Sequence, residues 1–170
     1  MKTTLISHAS LLVQSGNTTL LTDPVFFEYL WEECNVPCPS IDLDLDKLPK
    51  VDVLNISHRH QDHFDIRTLA NIASSKTILA PDAIVLAPRD EILLEVLNEL
   101  EFKNVTVVED FKAIEFKDFT LTPTPSLNEQ DYFPEHGLLI HDGSVTIWNQ
   151  VDTIVSPDII KYIHLSLIHI

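Results

Sequence analysis

Residues 55–65 read "NISHRHQDHFD", three histidines and two aspartates within one short stretch that follows the apolar run "VDVLNI". Neutral imidazoles bind Zn²⁺, Fe or Mn, and a carboxylate beside them adds a hard, charged ligand. His58 and His60 are two apart, so in an extended segment both rings project to the same side. Asp62 and His63 are adjacent, diverge from that pair and can address a second metal a few ångströms away. Two ions so placed can hold and activate a bridging water while polarising a substrate. The bland alternative is a polar loop that happens to be rich in histidine. The buried strand before the cluster argues against it, because a rigid strand end is where ligands are usually held.

The elements that must position this loop are legible in outline. "TTLISH", "SLLVQS" and "NTTLLTDP" read as three short strands, with Ser15-Gly16-Asn17 turning between the second and third. Residues 24–50 carry four prolines and the aromatic cluster "FFEYLW", which predicts an irregular excursion over the sheet. "VDVLNI" reads as a fully buried strand. Asp65 caps a helix through "IRTLANIASS" with Ile66, Leu69, Ala70 and Ile72 or Ala73 inward. "TILAP" returns as a strand, and Asp90 caps a helix with Ile92, Leu93, Val96, Leu97 and Leu100 inward. "VTVVED", "FKAIEF", "FTLTPTP", "GLLIH" and "SVTIW" are strands, the last two joined by an Asp142-Gly143 hairpin turn. Ser156-Pro157 opens a final helix. The order predicts a layered α/β protein.

Composition sets further bounds. The 170 residues are 45% hydrophobic and 22% charged, as in a globular domain, and no apolar run approaches bilayer length. The formal net charge of −15 argues against generic nucleic-acid binding, since an acidic surface repels phosphates. The N-terminal stretch is a poor secretory signal, so a cytoplasmic chain is expected. Cys34 and Cys38 read as two reduced loop thiols, with a local disulfide as the alternative. A lone C-x3-C lacks the second ligand pair of a structural zinc site.

"HRHQDH" matches H-x-H-x-D-H, and the chain thereby resembles the metallo-β-lactamase fold superfamily. "LPKVDVLNISHRHQDHFD" resembles the branch containing N-acyl-phosphatidylethanolamine phospholipase D and the ascorbate-phosphate lactonases. "LLTDP" is similar to the motif of the family's first aspartate, here Asp23, which supports the metal loop without binding metal. "GLLIHDGSVTIWNQVDT" is similar to the hairpin ending in G-D-T and makes Asp152 the metal-bridging carboxylate. The resemblance implies an αββα sandwich holding two divalent ions, zinc foremost, with iron or manganese as alternatives. It implies a hydrolase whose metal-bridged hydroxide attacks a phosphodiester, lactone or related ester or amide, in a small-molecule or lipid-like substrate. His58 and His60 bind one ion, Asp62 and His63 the other, and Asp62 doubles as the group orienting the nucleophile.

The pattern departs in three places. Where the family supplies another histidine, "TPTPSLNEQDYFPEH" has Ser126, Asn128 and Glu129, leaving Glu129 or His136 as the replacement ligand. For His136 the alternative is a core residue hydrogen-bonded on a strand. Some iron-dependent oxygenases of this fold use a carboxylate there, which keeps iron-dependent oxygenation as a second reading. "WNQVDT" puts the amides of Asn149 and Gln150 beside Asp152, either to orient it or to satisfy the strand. Finally, only His164 and His169 follow Asp152, too late for a further strand to place. "LSLIHI" is also what a common sequencing-adapter string encodes. Residues 1–164 are thus expected to be the domain, C-terminally incomplete, and 165–170 an artefact. A metal-binding fragment without turnover is the third reading. Substrate and oligomeric state are not readable from these residues.

Overall fold

Neighbouring apolar residues in the strands face opposite ways, and that alternation sets the layers. The structure, a computed structural model, describes residues 1–29, 36, 41, 43–127, 133–154 and 156–168, with the backbone alone at 46 and 165–168. Cys34, Cys38, Glu129 and His169 lie outside the described residues. Strands β1 (Lys2–Ser7), β2 (Ser10–Ser15), β3 (Thr18–Thr22), β4 (Val51–Asn55), β5 (Leu79–Ala87) and β6 (Val105–Val107) form one sheet in chain order. β1–β3 are antiparallel and β3–β6 parallel. The β4–β5 and β5–β6 crossovers are made by α1 (Ile66–Ser74) and α2 (Glu91–Glu99). Strands β7 (Ile114–Phe116), β8 (Phe119–Pro125), β9 (His136–His141) and β10 (Thr146–Asn149) form an antiparallel second sheet.

Leu12, Leu21, Leu54 and Val85 pack under α1 and α2 with Leu69, Ile72, Leu93 and Leu97. Their neighbours Val13, Leu20, Val53 and Leu86 face the second sheet and meet Phe119, Leu121, Leu138 and Ile140. On the far face of that sheet, Leu139 packs with Ile159 and Ile163 of α3 (Pro157–Ile168). Helix, sheet, sheet, helix is the αββα sandwich. A central sheet covered on both faces explains why β3 and β4 have every residue buried.

Several expectations need correction. Ile66 is 50% and Ile92 57% exposed, not inward. Both sit in the first turn of their helices, outside the stripe that Leu69 and Ile72, or Leu93 and Leu97, lay against the sheet. Thr68 takes the buried place in α1, donating through its hydroxyl to Asp65 Oδ2 at 2.6 Å. The register of β5 against β4 is carried mainly by Ile84, Val85 and Leu86, downstream of "TILAP", with an irregularity opposite Asp52. The helix expected to end at His164 continues in its backbone to Ile168.

At the end of the sandwich where the β2–β3 and β7–β8 turns lie, a polar clasp joins the sheets. Lys117 Nζ lies 2.6 Å from Asp52 Oδ1, and Asp118 Oδ2 accepts from Thr18 Oγ1 at 2.6 Å. Gly16 has φ of 54°, and a β-carbon on it would stand 2.7 Å from that same Asp118 oxygen, so a larger residue here is strained and displaces the Asp118 carboxylate from Thr18.

The facing of α2 is testable by paired truncation. Leu93→Ala, in the core, is expected to cost about 2–5 kcal/mol in urea unfolding, and Ile92→Ala under about 1 kcal/mol. The reverse order would refute this facing.

Candidate metal centre

The buried run of β4 continues through Ile56, Ser57 and His58 before the chain turns. The turn is closed by the His63 and Phe64 amides, which both donate to His60 O, at 2.9 and 2.7 Å. Phe64 anchors it in the core and Asp65 caps α1 directly after it. This brings His58, His60 and His63 to one focus. His58 Nε2 lies 2.8 Å from His60 Nδ1. The same nitrogen is 3.7 Å from Asp152 Oδ2, and His60 Nδ1 is 4.0 Å from that oxygen. His63 Nε2 lies 3.5 Å from the other oxygen, Asp152 Oδ1, and 3.9 Å from Asp62 Oδ2. One carboxylate therefore stands between two groups of ligand atoms. The pairs converge more than spacing suggested, with the His58 and His63 ring centroids 4.3 Å apart.

Behind the rings, Asp23 is fully buried. It accepts from Ser57 N at 2.7 Å and Ser57 Oγ at 2.8 Å, and its Oδ2 is 3.0 Å from His63 Nδ1. Ser57 Oγ also lies 2.9 Å from His58 Nδ1. Both imidazoles are thus held at Nδ1 and present Nε2 to the centre, the arrangement by which an outer carboxylate orients metal-binding histidines.

Burial lowers the His58 pKa to about 4, with the neighbouring His63 adding to the effect, so its ring is neutral at pH 7. Burial opposes protonation of His63 too, but the Asp23 hydrogen bond and the charges of Asp23, Asp152 and Asp62 outweigh it, and its pKa is raised. Asp62 is pushed up by burial and pulled down further by His63 and by hydrogen bonds, so its pKa is lowered on balance.

His58, His60, Asp62, His63 and Asp152 are therefore brought together, and His136 is not. It stands buried at the head of β9, its Nε2 donating to Asn55 Oδ1 at 2.9 Å, while Nδ1 has no hydrogen-bond partner. Asn149 and Gln150 bond elsewhere than Asp152. Asn149 Nδ2 reaches Thr22 Oγ1 at 3.4 Å, and Gln150 Nε2 donates to Thr153 O at 2.6 Å, closing the turn that carries Asp152.

Two participants escaped the sequence reading. His8, in the β1–β2 turn, places Nε2 3.0 Å from Asp62 Oδ2. Phe133 lies parallel to the His58 ring at 6.0 Å and edge-on to His60 at 4.7 Å, with the Arg59 guanidinium 4.8 Å from its centroid. Neither had a local signal, because each meets the loop from more than fifty residues away. A cleft of about 320 Å³ between His8, His63, Asn149 and Asp152 opens the centre to solvent.

Residues 2–154 match the Beta-lactamase superfamily domain. The chain belongs to this superfamily. Among curated relatives of this superfamily chain is the UPF0173 protein PF0020 of Pyrococcus furiosus, 28% identical over 157 residues, covering 92% of this chain and 62% of that protein. CmlA, a diiron beta-hydroxylase from Streptomyces venezuelae, superposes with a TM-score of 0.72 at 23% identity, over 95% of this chain and 31% of its own. An isothiocyanate hydrolase from Delia radicum gut bacteria does so with a TM-score of 0.72 at 21% identity, over 97% and 68%. These likenesses establish the fold. The chain spans from 16% to 62% of the length of the curated relatives it matches.

His136 gives a pH prediction. Burial lowers its pKa from 6.5 to about 4. Above pH 6.5 it is neutral folded or unfolded; below, the unfolded chain takes up the proton first, and stability is lost as pH falls toward 4. The loss from this one residue is about 3 kcal/mol. His136→Gln keeps a donor toward Asn55 and does not titrate. In chelator, its urea-unfolding stability is expected to fall less between pH 7 and 4.5 than that of the parent protein; an equal fall contradicts the assignment.

Proposed function

We propose that the chain is a metal-dependent hydrolase with a binuclear centre. The observation that carries this reading is the Asp152 carboxylate, with one oxygen toward His58 and His60 and the other toward His63. A tetrahedral ion with ligand bonds of about 2.0–2.1 Å has ligand–ligand edges of about 3.3 Å. The separations of 2.8, 3.7 and 4.0 Å on one side of Asp152, and 3.5 and 3.9 Å on the other, all lie within about 0.7 Å of that edge. The donor set of imidazoles and carboxylates fits zinc, iron or manganese, and zinc is the expected occupant. Bound there, such ions lower the pKa of a coordinated water toward about 7 and polarise a carbonyl or phosphoryl oxygen.

The chain's own residues supply the rest. His58 and His60 would hold one ion and His63 and Asp62 the other, with the Asp152 carboxylate available to both. Neutral His58 keeps its lone pair available at pH 7. Asp62 stays a carboxylate, and Oδ1, which is buried without a hydrogen-bond partner, remains to accept a proton from the attacking water and orient it. Phe133, with the Arg59 guanidinium against its ring, flanks the His58–His60 side of the centre. Asp152, 49% exposed at the cleft, lies where a small substrate can reach it. A phosphodiester, lactone or related ester or amide, lipid-like or small, suits such an electrophilic centre and accords with the branch resemblance of the 48–65 segment. A cytoplasmic location goes with this reading.

Metal analysis and turnover assays on the full chain test the proposal. Two equivalents of zinc and hydrolysis of a phosphodiester or lactone panel are expected, with Asp152→Asn lowering kcat/KM at least 100-fold. Asp23→Asn, which keeps the shape but loses the charge behind His63, is expected to weaken metal binding about 10–100-fold. The likeness to CmlA favours one rival, iron-dependent oxygenation. A protein that binds iron, consumes oxygen and leaves every ester intact would establish the rival.

A further inference from the structure

The β1–β2 connection is a two-residue turn, His8-Ala9, and it is fastened to the strand that carries Asp23. Ser10 Oγ donates to Asp23 O at 2.6 Å, Val25 N donates to Ser10 Oγ at 2.9 Å, and Thr22 Oγ1 donates to Ala9 O at 3.4 Å. His8 itself has φ of 41°, a left-handed conformation that costs a non-glycine residue and persists only where the surroundings impose it. The turn aims its imidazole across the cleft. The ring is edge-on to His63, with centroids 5.7 Å apart, and Nε2 stands 3.0 Å from Asp62 Oδ2.

We propose that His8 Nε2 is the third protein ligand of the second metal position, beside Asp62 and His63. The inference rests on the binuclear reading above and adds a ligand to it. One atom from each of His8, Asp62 and His63 lies within 4.8 Å of both others. The measured edges of 3.0 Å (His8–Asp62) and 3.9 Å (His63–Asp62) bracket the about 3.3 Å of a tetrahedral site. Two imidazoles and a carboxylate make a three-ligand group, and Asp152 Oδ1, 3.5 Å from His63 Nε2, adjoins it as a member of a second group with His58 and His63. A second observation points the same way: Asp62 Oδ1 is buried without a hydrogen-bond partner, so His8 is left as the hydrogen-bonding neighbour of this carboxylate at Oδ2 while its other oxygen is unmatched by a protein donor. His8 is 42% exposed as a side chain and lines the cleft, so an ion can enter to it.

The proposal makes the N-terminal hairpin part of the centre. Metal binding then cross-links the β1–β2 turn to the 57–65 loop, and the second position becomes sensitive to a residue outside the H-x-H-x-D-H stretch.

The test uses the full chain with ¹⁵N-labelled histidine, stripped of metal and reloaded with ¹¹³Cd. Scalar coupling between ¹¹³Cd and His8 Nε2 is expected, together with couplings to His58 and His63. Cadmium titration of His8→Ala should show the second equivalent weakened at least 10-fold and the first unchanged, and His8→Gln should not restore it. Two tight equivalents with couplings to His58 and His63 but none to His8 overturn this inference and leave the binuclear reading intact. Unchanged second-site affinity in His8→Ala does the same, and makes His8 only the hydrogen-bond partner of Asp62. Fewer than two equivalents in the parent protein overturn both.

Discussion

The site depends on one buried charge. Asp23 has no exposed surface, and a carboxylate in that position is tolerable only if donors surround it. Those donors come from the metal loop: Ser57 N, Ser57 Oγ and His63 Nδ1. The Asp23 backbone is committed as well, its amide to Asn55 O at 2.9 Å and its carbonyl to Ser10 Oγ. One residue at the end of β3 therefore fixes β2, β4 and the loop beyond β4 relative to each other. Its φ of 41° is part of the cost of that junction. Because Asp23 holds His63 by Nδ1, the opposite nitrogen has one direction left to point, toward Asp62 and Asp152.

The two sheets carry out the rest of the positioning. Asp152 belongs to the second sheet's last turn and the histidines to the first sheet's β4–α1 loop, so the distance between them is set by the inter-sheet core. Val13, Leu20, Val53 and Leu86 against Phe119, Leu121, Leu138 and Ile140 leave little slack, since such interiors are close-packed. The Lys117–Asp52 and Asp118–Thr18 contacts clamp the sheets at the turns preceding β3 and β8. The ends of β3, β4 and β10 and the turn before β2 are thus delivered to one edge, where loops can carry chemistry on a rigid frame.

His58 and His136 show how little residue type and burial decide alone. Both are buried and both have pKa values lowered to about 4 by desolvation. His58 spends Nδ1 on Ser57 and turns Nε2 to the centre, whereas His136 spends Nε2 on Asn55 between the two sheets. The difference lies in which nitrogen the neighbours occupy, Asn55 at the end of β4 for His136 and Ser57 in the loop just beyond it for His58.

Much was readable from the sequence because it is local. The H-x-H-x-D-H spacing, the buried run before it, the Asp65 and Asp90 caps and the Asp142-Gly143 turn all depend on residues within a few positions of one another. The order of strands and helices also forecast a layered α/β fold, and the continuous apolar run of β4 forecast a strand covered on both faces. Helix facing at Ile66 and Ile92 was not readable, because periodicity gives a stripe but not where its rim falls in the first turn. His8 was hidden for a stronger reason: it meets Asp62 across 54 positions, and a lone histidine after a strand carries no mark of its partner. The sequence by itself determined which residues can bind and which strands are buried, through short-range chemistry. Only the tertiary structure decided that a turn near the N-terminus and a turn after β10 share one cleft with the loop, because sheet packing alone brings distant strand ends together.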